Sequence, residues 1–458
     1  MVRAFLNRLF NDDKGRWGRP INSALTARAR CIVVGIACLG LPGLARACPS
    51  LDTYYPASGS GWQTLLPALT LLMPECLDSP EYFALLGAAQ LNTNNIPQAL
   101  ESLERSLLLS PNNGAAQVDY AQALFSAGQI FPALEITQAL LLREDLPPNL
   151  LTTLQERQQL WQSQTRSRGL VAEMAAGFDN NLNGAPSQSN FTLTLSGEPV
   201  ALTLDSLYQP ISGPYANVRI AGFYQQQAPT HTHDWLFAAR NRSSQDSNSE
   251  LLQFDWRYAL ALPVRRNQWE LTAGTSHLMY GGSPLYSVFE SRAKFRVRRE
   301  GCQPYYELAT QYQLYHGQNH LNGLESSSVT GLECGLAQQQ QLGIEAGVLH
   351  NEALDQARLG ANRGGWKVAL RWQMPLGVGA VAAQFGYTSL GDAQGYSDIL
   401  ANGASRQINS RYLQLQYSRP ILQNLSLMVN VNHQGQGSNI GPFVSQNTAM
   451  EVGFRVNL

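Results

Sequence analysis

Charge is scarce in this chain. Asp, Glu, Lys and Arg together make up only 14% of its 458 residues, and the net charge is -1. With no global field of either sign, nothing in the composition draws nucleic acid or concentrates an acidic substrate. None of the six cysteines sits in a C-x-x-C pair or in a Cys/His cluster with zinc spacing. No glycine loop of the phosphate-cradling kind stands on a strand-to-helix turn. No apolar run reaches the ~20 residues that a spanning helix requires. The space is filled by Gln, Asn, Ser and Thr, with 39 Gly, 18 Tyr and 8 Trp. That mixture suits a sheet that faces water on one side and lipid on the other.

The first residues read as an export signal. Arg3, Arg8, Lys14, Arg16, Arg19, Arg28 and Arg30 precede the short apolar run CIVVGIACLGLPGL, and Ala45-Arg46-Ala47 follows it. A basic region, a brief apolar region and a small-x-small site mark residues 1–47 as a secretory signal peptide. Cys31 and Cys38 would leave with it, so Cys48, Cys76, Cys302 and Cys334 remain. An even number in an exported chain points to disulfides, with three pairings open. Cys302 and Cys334 lie at mirror positions about the 316–324 link, and we expect them to be bonded to each other. Cys48 directly after the cut also raises lipidation, to which Arg46 is an awkward fit.

Residues 48–167 read as helical, with an internal repeat of 34. SPEYFALLGAAQLNTNNIPQALESLERSLLLSPNN carries Leu86-Gly87, Ala99, Leu103 and Pro111; shifted by 34, Tyr120-Ala121 and Ala133 fall under the small positions. Gly87, Ala99, Ala121 and Ala133 let paired helices approach closely, and Pro111 ends a helix. These segments resemble tetratricopeptide (TPR) repeats, a short α-solenoid whose concave face takes a partner. Residues 148–165 read as a capping helix, and WQTLLPALTLL as an earlier half-repeat.

From Arg168 the period becomes two. LLQFDWRYALAL, GWKVALRWQ and NLSLMVNVNH each alternate apolar with polar residues, and the pattern persists to Leu458. Short connections (APTHTH, PVRRNQ, REGC, QQQ, PLGVG, PILQN) interleave with longer polar links at 179–214, 242–249, 280–285, 316–324, 351–363, 390–406 and 434–446. Residues 168–458 are therefore expected to form an antiparallel transmembrane β-barrel of about fourteen strands in the outer membrane of a Gram-negative cell, both ends periplasmic. Tyr215, Trp235, Trp269, Tyr280, Tyr286, Tyr305, Trp366, Tyr387 and Tyr412 stand near strand ends and suit interfacial girdles. The fold class is thus α+β multidomain, helical solenoid first and barrel second.

The search for chemistry yields little. HTHD (His231, His233, Asp234) and YHGQNH (His316, His320) read as solvated turns rather than metal sites. In AAGFDNNLNGAP, Asp179, Asn180, Asn181 and Asn183 have the oxygens for a cation, but Asx turns are the preferred reading. Nothing here looks like an enzyme, and no cofactor or metal is implied.

The order of a helical repeat segment, then GFDNNLNGAP opening a barrel, resembles the surface lipoprotein assembly modifier (Slam) family. The resemblance implies a periplasmic TPR domain and an outer-membrane barrel that together help lipoproteins or soluble clients reach the cell surface. A second reading is an exopolysaccharide export porin, whose lumen would carry one sign of charge; a third is a plain porin. Finally, Glu451-x-Gly453-x-x-Val456-x-Leu458 resembles the terminal signal read by the barrel assembly machinery, with Leu458 where an aromatic residue is commoner. The expected partners are outer-membrane lipid, that machinery and a periplasmic client.

Overall fold

The computed structural model describes residues 48–55, 61–195 and 197–458; the proposed signal peptide lies outside them. Among the described residues six α-helices precede the strands: α1 Trp62–Leu72, α2 Pro80–Asn92, α3 Ile96–Leu109, α4 Gly114–Ser126, α5 Ile130–Leu141 and α6 Pro148–Gln164. Their starts fall into two series at a spacing of 34, namely 62, 96, 130 and 80, 114, 148. The starts are chemically marked. Ser79 accepts from Tyr82 N and Asn113 from Ala116 N, each capping the helix that follows, and Pro80 and Pro148 open α2 and α6.

Small residues set the helix spacing. A Cβ on Gly87 would stand 2.5 Å from Leu103 Cγ, so α2 and α3 pack at a distance only glycine permits. Ala99, Ala121 and Ala133 are buried at the successive contacts, while Pro111 lies in the turn after α3. Leu103 is fully buried, which stabilises the packing by about 1.5–3 kcal/mol. Cys48 is bonded to Cys76, and that sulfur then has no bond left for a lipid. The Tyr82 hydroxyl donates to Leu69 O at 2.7 Å within the same core. Trp161 of α6 stacks on Phe125 of α4 and closes the helical stack.

One residue, Thr165, separates α6 from β1 (Arg166–Asp179). Gln227 N donates to Thr165 O at 2.8 Å, clamping the end of α6 to the neighbouring strand. The remaining strands are β2 Asn190–Leu195, β3 Glu198–Thr203, β4 Gly213–Gln227, β5 Thr232–Ser244, β6 Leu251–Val264, β7 Asn267–Tyr280, β8 Ser283–Val297, β9 Cys302–Tyr315, β10 Gly323–Gly335, β11 Gln341–Ala353, β12 Arg363–Leu376, β13 Gly379–Ser397, β14 Leu400–Leu422, β15 Leu425–Ser438 and β16 Ser445–Asn457. β1 pairs with both β4 and β16, and every other barrel strand pairs antiparallel with its sequence neighbour. Among the described residues the result is a closed antiparallel barrel of fourteen strands, with β2 and β3 as a hairpin outside the count. Closure removes every free edge. The seam is continued by Leu458, whose N–H donates to Leu170 O at 2.8 Å and whose carbonyl accepts from Leu170 N.

Short turns lie at the end that carries the helices (the near end), and the longer connections lie at the far end. Two expected far links are instead largely strand: of 280–285 only Gly281 and Gly282 lie outside β7 and β8, and 390–406 is the second. Residues 390–406 pair as a β13–β14 extension around a turn at 398–399, with register shifts at Gly391/Gly395 and Gly395/Ser397. Its Gly, Ser and Asn content reads locally as loop, but cross-strand pairing decides.

Alternate residues face outward. Met174, Ile220, Phe237, Phe254, Phe289, Val348 and Val452 are large, apolar and exposed on the outer wall, an apolar area that only lipid would cover. No helix among the described residues is long and apolar enough to cross a membrane; the strands are what span. Cys302 and Cys334 face each other across β9 and β10 and are bonded.

Candidate functional site: the barrel lumen and its far mouth

The inward positions carry acids and bases in alternation. Glu173 on β1 lies between Arg455 on β16 and Arg219 on β4, at 2.7 Å and 3.5 Å. Arg292 contacts Glu290 at 2.6 Å and Glu307 at 3.5 Å. Glu333 takes Lys294 at 2.9 Å and Arg296 at 3.1 Å. Arg371 reaches Glu345 at 2.6 Å. Residues of opposite sign on the same or nearby strands neutralise each other locally, so the wall has no extended field of one sign.

Glu451, a member of the terminal motif, points into this network. Its carboxylate accepts from Asn430 Nδ2 at 2.8 Å and from Tyr215 Oη and Asn217 Nδ2, both at 3.2 Å. Arg455 and Asn457 share its face, whereas Val452, Phe454, Val456 and Leu458 alternate outward. Gly453 lies at the seam, where a Cβ would stand 2.6 Å from Ala175 Cα.

At the near end a recess of about 340 Å³ opens in the lumen wall, lined by Phe223, Asp234, Leu236, Arg257, Gln268 and Glu270 among others. Asp234 therefore does not join His231 and His233. It points inward and accepts from Gln225 at 2.7 Å, while His233 bonds the Tyr258 hydroxyl at 2.8 Å on the outer wall. The strand alternation splits HTHD between the two faces. His316 of the YHGQNH segment bonds Ser287 Oγ, which also bonds His277, each at 2.8 Å; His320 lies in a separate short 3-10 turn.

The AAGFDNNLNGAP segment is a clasp for the first far-end loop. Asn181 N donates to Asp179 Oδ1 at 2.8 Å, forming the Asx turn. Asn181 Nδ2 reaches Ala185 O and Gln446 O, and its Oδ1 accepts from Ala185 N. Asn180 Oδ1 accepts from Thr448 N and Asn183 Oδ1 from Ile211 N. Arg242 pairs with Asp179 at 3.1 Å. The oxygens that a cation would need are engaged by protein donors.

Five tyrosines expected in the girdles stand on the inward series of their strands instead, Tyr280 by its parity with Ser276 and Leu278. Tyr215 bonds Glu451, Tyr305 donates to Glu345 at 2.7 Å, and Tyr412 shares a face with Gln414 and covers Gly386. Tyr286 also lies on the inward series with Glu290 and stacks on Tyr315, 4.7 Å between centroids. Trp235, Trp269 and Trp366 do face outward, and each packs on an outer-wall neighbour: Tyr224, Phe295 and Tyr387 respectively.

The far mouth holds a feature that local sequence did not reveal. Asp392 of β13 is met by Arg363 of β12 at 3.2 Å and by Arg406 of β14 at 3.1 Å. Arg406 lies against the rings of Tyr396 and Phe443, at 4.4 Å and 4.5 Å from their centroids. Arg358, from the loop between β11 and β12, is only 5% exposed. Burial holds its guanidinium below its ordinary value, opposed by Tyr315 and Asp392 and reinforced by Arg406. Arg358 and Arg363 are close in sequence, but only strand pairing brings Arg406 and Asp392 to them.

No protein-family model matches the chain, and comparison with curated protein sequences finds no match. Solved structures similar in outline include the outer-membrane channel DcaP of Acinetobacter baumannii, 7% identical with a TM-score of 0.38 over 65% of this chain and 98% of that one. An anion-selective porin from Comamonas acidovorans is 8% identical, TM-score 0.35, over 64% of this chain and 99% of that one. A Pseudomonas aeruginosa FadL homologue is 9% identical, TM-score 0.35, over 64% and 90%. At such scores the likeness carries no argument about function.

Proposed function

We propose that this chain is an outer-membrane barrel whose periplasmic TPR-like domain receives a client protein and assists its passage to, or display on, the cell surface. The observation that carries the reading is the join between the two parts. The helical stack, with its 34-residue period, meets the first barrel strand through Thr165 alone, and the Gln227–Thr165 hydrogen bond fixes that junction. A client held on the helices is thereby held at the near mouth. The short turns belong on the periplasmic side with the helices, and the longer far-end connections face the exterior. The outward apolar wall supports placement in the outer membrane.

The alternation of lumen charges favours this reading over an exopolysaccharide exporter, which would guide a charged polymer with one sign of charge. In cells lacking residues 49–165 of the chain, a folded barrel is expected with fewer surface-exposed proteins after labelling with an impermeant biotin reagent. A surface proteome identical to that of the intact strain would sink the proposal. Loss of surface polysaccharide with an unchanged proteome would establish the exporter in its place.

A further inference from the structure

We propose that the far mouth binds a solute oxyanion, a carboxylate or phosphoryl group, between Arg358, Arg363 and Arg406. The inference goes beyond the client reading and does not depend on it. Arg363 and Arg406 both pair here with a single carboxylate, Asp392, and Arg358 lies within electrostatic range of it. The contacts of Arg363 Nε and Arg406 Nε to that carboxylate are at ion-pair distance, yet neither N–H has an aligned hydrogen-bond acceptor. Nε and Nη1 of Arg358 have no acceptor at all, although the residue is almost fully buried. Four N–H donors on three arginines thus lack an aligned acceptor, against two unpaired acceptors beside them, Asp392 Oδ2 and Asn351 Oδ1, in a place where an unpaired buried charge is strongly unfavourable.

The surroundings hold these groups in place. Tyr396 and Phe443, packed edge to face on each other, both lie against the Arg406 guanidinium, and such cation–π contact restrains it. Gly323 leaves the space that Arg358 occupies, since a Cβ there would stand 2.8 Å from Arg358 Nη1. Asn351 Oδ1, also without a partner, would stand 2.8 Å from the same Cβ. Small turns of Arg358 Nη1 onto Asn351 and of Arg406 Nε onto Asp392 Oδ2 would still leave two Nε donors, of Arg358 and Arg363, and the excess positive charge unanswered. A ligand with two or more oxygens, planar or tetrahedral, matches forked donors of this kind. Because Arg363, Asp392 and Arg406 all stand on the inward series of their strands, the ligand reaches them from the lumen and not from lipid.

The test is calorimetric titration of the detergent-solubilised full chain at low ionic strength, with inorganic phosphate in one arm and succinate in the other. Saturable binding is expected in at least one arm, weakened tenfold or more by Arg358→Gln. Arg298→Gln, which removes an exposed arginine near the opposite end, is expected to leave it within twofold. Heat-modifiable gel mobility verifies that each variant is folded; if Arg358→Gln is not, Arg363→Gln carries the same criterion. Arg358→Lys keeps the charge but not the fork and is expected to bind at an intermediate level. No saturable binding of either anion to the wild-type chain, or equal binding by the folded Gln variant, overturns the proposal.

Discussion

The ring of Tyr305 occupies the space directly above Gly331, its partner across β9 and β10, where any Cβ would collide with it. The same relation recurs on the inner wall: Phe223 covers Gly169 and Tyr412 covers Gly386. An aromatic ring laid over a cross-strand glycine fills the gap the glycine leaves and pins the register. It also aims the Tyr305 hydroxyl at Glu345. Gly331→Val therefore displaces Tyr305 and breaks that hydrogen bond. The expected cost is about 1–3 kcal/mol, read as a lowered urea midpoint for the barrel in lipid vesicles. Gly335→Val, at a glycine with no side chain against it, serves as the control; an equal effect there would remove the ring-over-glycine account.

The two faces of the wall make opposite demands on charge. Val429, midway along β15, pairs with Tyr417 and Val452 on the outer wall. Val429→Arg is expected to destabilise the inserted barrel by about 2–4 kcal/mol. Arg371 is on the lumen face, half exposed in its pair with Glu345, and such a pair contributes little, about 0–1 kcal/mol. Arg371→Gln should accordingly fold with a near-normal midpoint. The ordering of the two variants by vesicle-based unfolding is the check, and a reversed order would mean that the faces have been exchanged.

In the helical domain a buried carboxylate confers pH dependence. Burial pushes Asp119 of α4 up to about 6, against the opposing pull of Arg157 on α6. Unfolded, the same group titrates near 4. The folded state thus binds its proton more tightly, so this contribution to stability is fully present below pH 4 and lost as pH rises through about 6. Asp119→Asn should raise the melting temperature of the helical transition at pH 7.5 and leave it unchanged at pH 4. Scanning calorimetry of the full chain can follow this transition apart from the barrel. An equal shift at both pH values would assign the effect to something other than ionisation.

Much of the architecture was legible because it rests on local periodicity. The 34-residue repeat shows in Gly87, Ala99, Ala121 and Ala133, and period two marks the strands from β1 onward. Facing was legible where a strand alternates cleanly, as in Val452 and Glu451. It was not legible for Tyr215, Tyr280, Tyr286, Tyr305 and Tyr412, because closeness to a strand end suits a girdle and does not decide the face. Parity with Asn217, Glu307 and Gln414 would have turned Tyr215, Tyr305 and Tyr412 inward, whereas the glycine beneath Tyr305 is set by pairing with another strand. The far-mouth arginines were hidden for the same reason. Asp392 and Arg406 lie in a Gly- and Ser-rich stretch that reads as loop, and only the extended β13–β14 pairing places them against Arg363.

The seam between β1 and β16 offers the sharpest test of how the barrel closes. Gly453 pairs with Ala175, and a Cβ on it would collide with Met174 O and stand 2.6 Å from both Ala175 Cα and Ala175 Cβ. Two residues earlier, Glu451 gathers donors from β4 and β15, so the closing strand is fixed on one face by hydrogen bonds and by close backbone approach beside it. Gly453→Val is expected to block closure outright, giving a chain that never acquires heat-modifiable mobility. Glu451→Ala should still close but leave the Tyr215, Asn217 and Asn430 donors without an acceptor, at a cost of about 1–3 kcal/mol for each buried group so stranded. Folding into preformed vesicles, without assembly factors, separates the two roles of this strand. If Gly453→Val folds there at the wild-type rate yet fails in cells, the glycine acts in recognition by the assembly machinery and not in closing the seam.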